Sequence, residues 1–371
     1  MISRFLKDWT VWVGMGMVVW CGPSWAGARN SIPGSRYLSA RAAALADAFV
    51  PLADDGASGL FYNPAALSSL KRLGGEVLNI TFESNNDYVS GFAPLDFFKV
   101  TSLPSYAPTL GAGQFPGVGY SILPNFYANG FAFGALLQTR VSARNDGGQV
   151  SYRSSYRFIP SIGTGIKLAN GIFRIGYSFQ FVSKAEGEVT NVPISSSPLG
   201  YNQQLSQGSA ISHNVGVNIA LPVTYLPVIS AVARNVGGAR FQSASLIPFA
   251  RNVTGVPADE EMSIDLGLGL APRVSSGDTM NFAFQLKDAT NTSGFKIIDR
   301  FTFGGEYAIR NSYVFRLGYG LGSGMDGINA GLGFKGKRGD FGLAWYREEL
   351  GTPSAPDRER RWLMHYQLRV F

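Results

Sequence analysis

The sequence predicts an all-β fold: a transmembrane antiparallel β-barrel of about 14 strands, preceded by an N-terminal plug segment with short helices. Three observations point to it. Charged residues make up only 15% of the 371-residue chain, well short of the quarter or so usual in soluble domains, while hydrophobic residues are an ordinary 45%. Apolar residues alternate with small or polar ones over runs longer than the strands of a soluble sandwich. The connections between those runs fall into a tight set and a long set that alternate along the chain. Forty-six glycines, 26 phenylalanines and 16 tyrosines replace much of the missing charge. So aromatic a chain has too much apolar surface to stay disordered. A bundle of membrane helices is excluded, because no run of about 20 apolar residues follows the N-terminus.

Residues 1–28 read as an export signal peptide. Arg4 and Lys7 form a basic start, Trp9 to Trp20 is apolar, and Ser24 to Ala26 or Ala26 to Ala28 offers small residues for cleavage. A retained membrane anchor fits less well, because the apolar stretch is short and is broken at Gly22-Pro23. A lipoprotein signal fits poorly, because Trp20 precedes Cys21 where a small residue is needed. Cys21 is the single cysteine, so the mature chain needs neither disulfide nor thiol chemistry.

Residues 29–73 form the expected plug. Asn63 followed by Pro64 is a helix N-cap with proline at the first helical position, which predicts a short helix over Ala65 to Leu70. Asp54-Asp55-Gly56 is a turn signal. These polar residues either shape backbone only or, in the functional reading, the Asp pair docks the plug onto arginines of the lumen.

Residues 74–371 read as the barrel. Tyr152, Tyr156, Phe158, Ile162, Ile166 and Leu168 share one phase, and Ser151, Arg153, Ser155, Arg157, Ser161 and Lys167 share the other. The same alternation runs through Phe131 to Arg144, Phe173 to Phe181 and Met262 to Leu270. It predicts strands near 75–83, 116–123, 127–144, 148–168, 171–183, 210–220, 224–235, 262–271, 279–288, 296–308, 312–320, 327–335, 339–347 and 362–371. Tight connections lie at Pro124-Asn125, Ala169-Asn170, Pro222-Val223, 272–278, 309–311 and 336–338. Long ones lie at 84–115, 184–209, 236–261 and 348–361. Short turns on the periplasmic side and long loops outside are the pattern of a barrel with both termini in the periplasm. In the first hairpin, Tyr88 to Pro94 reads as strand or as loop.

Two groups of side chains stand out. Arg140, Arg144, Arg153, Arg157, Arg174 and Arg316 take the inward phase and form a candidate basic cluster in the lumen. A tight turn at Asp146-Gly147 would pair 145 with 148, and so place Arg140 directly opposite Arg153. Like charges so placed repel, which calls for an anion between them: a plug carboxylate, or the acidic head of a ligand or lipid. Water and a loop carboxylate, Glu186 or Glu188, are the plainer alternative. The loop 84–115 carries Phe92, Phe97, Phe98 and Tyr106, apolar enough for a hydrophobic capture site or for a lid packed on itself.

Enzyme chemistry finds little support. His213 and His365 are the only histidines, so no metal-ligand spacing exists and neither metal nor cofactor is expected. Ser212-His213 resembles part of a lipase triad, but His213 shares the outward phase of Val215 and Val217, as a girdle residue would. Gly322 to Gly327 and Gly331 to Gly336 match the dinucleotide pattern, yet neither opens a helix. Asp54-Asp55 lacks the further oxygens a calcium site needs. The net charge of +7 and pI near 9.4 suit anionic lipid heads or anionic solutes; nothing points to nucleic acid.

The segment Ala40 to Leu70, ARAAALADAFVPLADDGASGLFYNPAALSSL, resembles the N-terminal signature of FadL-like outer-membrane proteins, their PorV/PorQ branch in particular. Ala231 to Gly238, Phe301 to Gly320 and Ile328 to Tyr346 agree with it, so the likeness spans most of 36–371. It implies a 14-stranded barrel with an N-terminal plug in the outer membrane of a Gram-negative bacterium, in contact with outer-membrane lipid and lipopolysaccharide. It also implies either uptake of hydrophobic substrates or a part in protein secretion. One departure is the terminal Phe371, out of step with Trp362, Met364, Tyr366, Leu368 and Val370, which a bulge near Arg369 would repair. Three functions follow. The first is passive passage of a hydrophobic or amphipathic ligand, and the second a non-transporting PorV-type scaffold for an exported protein partner. The third, a lipid-modifying enzyme, is the least supported. An apolar pocket beneath the loops 84–115 and 236–261 would favour the first.

Overall fold

The computed structural model describes residues 36–91, 111, 114–145, 148–193, 205–272, 274, 277–290, 294–322, 324–349 and 358–370. The expected signal peptide and the aromatic residues Phe92, Phe97, Phe98 and Tyr106 lie outside them.

Alternation of side chains across a strand lets a sheet bury one face and expose the other. Here one sheet does so around a closed ring. In chain order its segments are β1 (Gly74–Asn85), β2 (Gly117–Ile122), β3 (Asn125–Ala128), β4 (Phe131–Asn145), β5 (Gln149–Leu168), β6 (Phe173–Pro193), β7 (Leu205–Ala220) and β8 (Val228–Arg234). There follow β9 (Val253–Gly255), β10 (Ser263–Leu270), β11 (Thr279–Leu286), β12 (Phe301–Ile309), β13 (Tyr313–Gly320), β14 (Gly327–Lys335), β15 (Gly339–Glu349) and β16 (Arg358–Val370). β2 and β3 are one stave broken at Leu123-Pro124, since both pair with β1 on one side and β4 on the other. β9 is a short parallel addition to β7. The remaining neighbours are antiparallel, and β16 pairs with β1, which closes a barrel of 14 staves.

The outward phase is apolar all round. Phe131, Phe133, Ile162, Ile166, Leu266, Leu268, Phe315, Leu317, Leu332 and Phe341 are all exposed. The inward phase of the same strands carries Gln138, Ser161, Asp265, Glu306 and Arg316, all buried. An apolar outer belt over a polar inner face marks a barrel that crosses an outer membrane many times. Trp345 and Trp362, with rings 6.4 Å apart, stand at the end opposite the tight turns, where an aromatic girdle belongs.

Several strand limits differ from expectation, each for a physical reason. β6 runs to Pro193 instead of 183, and β7 begins at Leu205 instead of 210. Lys184, Glu186 and Glu188 can extend the ladder because it has left the lipid belt: about 9–11 tilted residues suffice to cross, and β6 has 21. Residues Ile297–Arg300 are a 3-10 turn before β12, not strand. In the first hairpin, Asn86–Gly91 is neither loop nor strand but a short helix, α3, continuing β1; the helices Ala40–Ala44 and Gly56–Phe61 that precede the barrel are α1 and α2. The bulge expected near Arg369 lies instead across the seam in β1, between Glu76 and Leu78, while β16 runs regularly past it. Residue 371 lies outside the described residues.

The β4–β5 register is also corrected. Asn145 pairs with Val150, so Arg140 faces Ser155, Arg153 faces Ser142 and Arg157 faces Gln138. Arg140 and Arg153 are not opposite each other. The connection holds four residues instead of two, with Gly148 at φ +118° supplying the left-handed conformation and its N–H reaching toward Asn145 Oδ1 at 3.4 Å. Asp146 and Gly147 lie outside the described residues.

Candidate functional site in the barrel lumen

The lumen is filled by the chain that precedes β1. Ser39 caps the helix Ala40–Ala44, its side chain accepting from Ala42 N, and a 3-10 turn follows at Val50–Leu52. A second helix, Gly56–Phe61, starts at Asp55, whose carboxylate accepts from Ser58 N at 2.6 Å in a capping box. The Asp54-Asp55-Gly56 turn signal is thus a helix start. Asn63 caps the following short helix as expected, accepting from Ala65 N at 3.1 Å; that helix, Pro64–Ser69, is of the 3-10 kind.

This segment touches the wall where the wall has no side chains. A Cβ at Gly176 would lie 2.1 Å from the Pro64 carbonyl carbon, and one at Gly165 2.5 Å from Ser68 N. Across the barrel, a Cβ at Gly318 would lie 2.3 Å from the Leu45 carbonyl carbon, and one at Gly331 2.5 Å from Ala44 Cβ. The inward glycines are seats for another backbone. Gly176→Leu and Gly318→Leu are therefore expected to unseat the segment while leaving wall pairing intact. Faster trypsin cleavage after Arg41 in the folded, heat-modifiable protein would report it. Cleavage at the wild-type rate in both variants would mean that this close packing does not hold the segment.

Between those seats the filling is apolar. Tyr37, Leu45, Phe49, Leu60, Phe61, Tyr62 and Leu67 form one buried cluster with the wall residues Leu123, Leu136, Ile159 and Val182. Phe49 and Tyr62 meet edge to face at 4.9 Å.

Around that cluster, polar ties fix the segment to most sides of the barrel. Arg36 donates to Gln180, Asn235 and Glu260 at 2.6, 2.7 and 2.5 Å. Tyr37 donates to Asn79 at 2.7 Å and lies 3.2 Å from His365 Nε2. Arg41 binds Glu306 through both Nε and an Nη at 2.9 and 2.6 Å, and Asp54 at 2.7 Å. Asp47 meets Lys287 at 2.5 Å. The amides of Phe49 and Val50 both donate to Gln285 Oε1, and Asn63 donates to Asn218 at 2.7 Å. Arg234, held by Asp265 at 2.9 Å, donates to the carbonyls of Phe61 and Tyr62. Burial alone would lower the Arg41 pKa, but Asp54 and Glu306 hold it above its ordinary value. Burial would likewise raise Glu260, yet Arg36, Lys184 and Arg157 keep it below the usual carboxylate range.

The expected Asp-to-arginine docking is therefore inverted. Asp54 pairs within the segment and Asp55 caps a helix, whereas the segment's cations Arg36 and Arg41 grip wall carboxylates. The six arginines do not form one cluster. Arg174 sits at the end of the tight turns and donates to Ser69 Oγ at 2.9 Å. Arg316 shares Glu306 with Arg41 at 3.2 Å. Arg140 lies higher, between Glu83 at 2.5 Å and Glu348 at 3.2 Å, in a network that Arg361, Glu359 and Tyr346 complete. Arg153 is exposed on the rim with Glu188 at 3.1 Å, and Arg144 is exposed as well. Arg157 faces Lys184 across the strands and forms no ion pair among the described residues.

Sequence reasoning missed Arg36, Arg41, Asp47, Arg234, Asp265, Lys287 and Glu306. The available signal was charge in the inward phase: Asp265 and Glu306 are each a lone carboxylate among small inward residues of their strands. Ser212 points inward to Asn235 while His213 points out to the Tyr177 hydroxyl at 2.6 Å, so the two cannot act as a nucleophile and its base. Among the described residues no group of His, Cys, Asp or Glu could hold a metal ion.

No family model and no curated protein sequence matches this chain. Solved structures similar to it include the toluene transporter TodX of Pseudomonas putida, at 11% identity over 91% of this chain and 99% of that one, with a TM-score of 0.49. A Pseudomonas aeruginosa FadL homologue is 11% identical over 92% and 98%, at 0.43. The outer membrane phospholipase A of Escherichia coli is 8% identical over 78% and 92%, at 0.33.

Proposed function

We propose that this chain is an outer-membrane channel for passive passage of hydrophobic or amphipathic small molecules, with residues 36–73 as its plug. One observation carries the reading. A porin lumen is polar and wet, but here the middle of the lumen is an apolar cluster that the segment builds together with inward wall residues such as Leu123, Leu136, Ile159 and Val182. A path opened beside that cluster would be lined by hydrocarbon, favouring apolar solutes over sugars and ions. Arg157, an inward cation without an ion pair among the described residues, suits an acidic head at the entrance. Such a channel needs no catalytic group and no cofactor. The second reading, a scaffold for an exported protein, draws on β5 and β6, whose 20 and 21 residues rise well past the lipid belt.

Uptake in cells with an intact lipopolysaccharide leaflet tests the proposal. Expression should raise entry of the apolar dye N-phenylnaphthylamine several-fold and leave entry of a sugar of similar size unchanged. Dye entry equal to that of cells lacking the protein would overturn it and leave the scaffold.

A further inference from the structure

An apolar cavity of about 200 Å³ lies against the outward phase of the wall, bordered by the start of the segment 84–115. Phe82 and Ser84 of β1, Leu343 of β15, Trp362 and Met364 of β16 and Val89 of α3 line it. The register makes it a feature of the seam. Phe82 pairs with Met364 and Ser84 with Trp362 on one side of β16, and Leu343 pairs with Met364 on the other, all in the outward phase. The helix α3 forms one rim. Trp362 Nε1 donates to Asn86 Oδ1 at 2.9 Å, and Tyr88 is buried against Phe82, Val118 and Val141.

Directly above, at the end opposite the tight turns, the outward phase turns basic. Arg360 lies two residues beyond Trp362 on the same face, exposed, with its guanidinium 4.2 Å from the centre of the Trp345 ring. Its cross-strand neighbour is Arg347, so two like charges face each other at the edge of the belt. Arg347 is answered by Asp326 at 2.7 Å, and Arg358 by Asp326 and Glu349 at 2.9 and 3.2 Å. Arg360 has no ion pair among the described residues. An apolar recess in the lipid face, a tryptophan pair at interface level and an unpaired guanidinium just beyond it together match an amphiphile with an anionic head.

We propose that this seam binds one phosphorylated, acylated glycolipid of the outer leaflet. An acyl chain lies in the recess beside Met364 and Leu343, and a head phosphate sits on Arg360. The recess is lined by outward-phase residues and not by the lumen, so the inference stands apart from the transport reading. An arginine stacked on tryptophan is pre-organised for a phosphate, which makes a charge-assisted pair at little entropic cost.

Native mass spectrometry of the protein extracted from outer membranes in mild detergent tests it. The wild type should retain one lipid A-containing molecule per chain. Arg360→Glu should lower retention at least about fivefold, since it removes a charge-assisted pair and adds a repulsion. Met364→Trp should lower it too by filling the recess, while Arg338→Glu on a periplasmic turn should not. All four proteins should keep heat-modifiable mobility, and Arg360→Ala replaces Arg360→Glu if that variant does not. Equal retention in all four, retention of phospholipid or detergent only, or an equal loss in Arg338→Glu would each overturn the proposal.

Discussion

Deleting residues 36–73 is expected to raise single-channel conductance in planar bilayers by about tenfold or more, because a barrel this wide leaves a lumen that inward side chains alone do not fill. The inward positions nearest the segment are largely glycine: Gly163, Gly165, Gly176, Gly216, Gly318 and Gly331 have no side chain to close the gap. Above them one side of the wall carries Arg140, Glu83, Glu348, Arg361 and Glu359, a charged cluster that water would enter readily once the apolar core beneath it is gone. Wall pairing does not depend on the segment, since the antiparallel ladders run stave to stave around the ring. Arg234 and Arg316 keep Asp265 and Glu306 as partners after the deletion. The deleted protein should therefore still show heat-modifiable mobility. If that mobility is retained and conductance stays at the wild-type level, something other than the segment closes the barrel, and the plug assignment fails.

The staves were legible because a membrane barrel must repeat one instruction, apolar out and small or polar in, on every strand. Met262 to Leu270 carry it without exception, and Phe131 to Leu137 depart from it only at inward Leu136. The β4–β5 register differs from the one a two-residue turn predicts, yet the faces are the same. A two-residue slip preserves which side each residue occupies, where a one-residue slip would have turned Arg153 to the lipid. What the slip changed was partners: Arg140 gained Ser155 and lost Arg153. Partners across the lumen were not legible at all. Arg41 and Glu306 are 265 positions apart, and nothing local in either marks the other. The conspicuous pair Asp54-Asp55 is a local feature of the sequence, and its work is local too, a cap and a short-range ion pair. Arg36 and Arg41, isolated in an alanine-rich stretch, gave no pattern to read. Yet a cation in a segment destined for a barrel interior needs a carboxylate there, and the inward carboxylates of β10 and β12 could have been counted.

Glu306→Ala is expected to release the segment most completely of any single substitution. Glu306 is almost fully buried and binds two guanidiniums at once, Arg41 of the segment and Arg316 of the wall, while Asn281 donates to it at 2.9 Å. Removing the carboxylate leaves two buried cations facing each other, with only the half-exposed Asp54 to answer them. Breaking a buried pair from one side costs roughly 3–5 kcal/mol, most of it the uncompensated charge. At about 1.4 kcal/mol per decade, that shifts the docked-to-undocked equilibrium by about two to three and a half orders of magnitude. Trypsin should then cut after Arg41 in the folded protein, and bilayer recordings should show openings that the wild type lacks. Glu306→Gln, which keeps an acceptor but no charge, should fall between the two. The decisive comparison is the double variant Glu306→Ala with Arg316→Met. Removing both wall partners takes one of the two stranded cations away, so it should be cut more slowly than Glu306→Ala alone. If Glu306→Ala resists trypsin as the wild type does, or the double variant is cut faster than the single, the charge on Glu306 is not what holds the segment in the lumen.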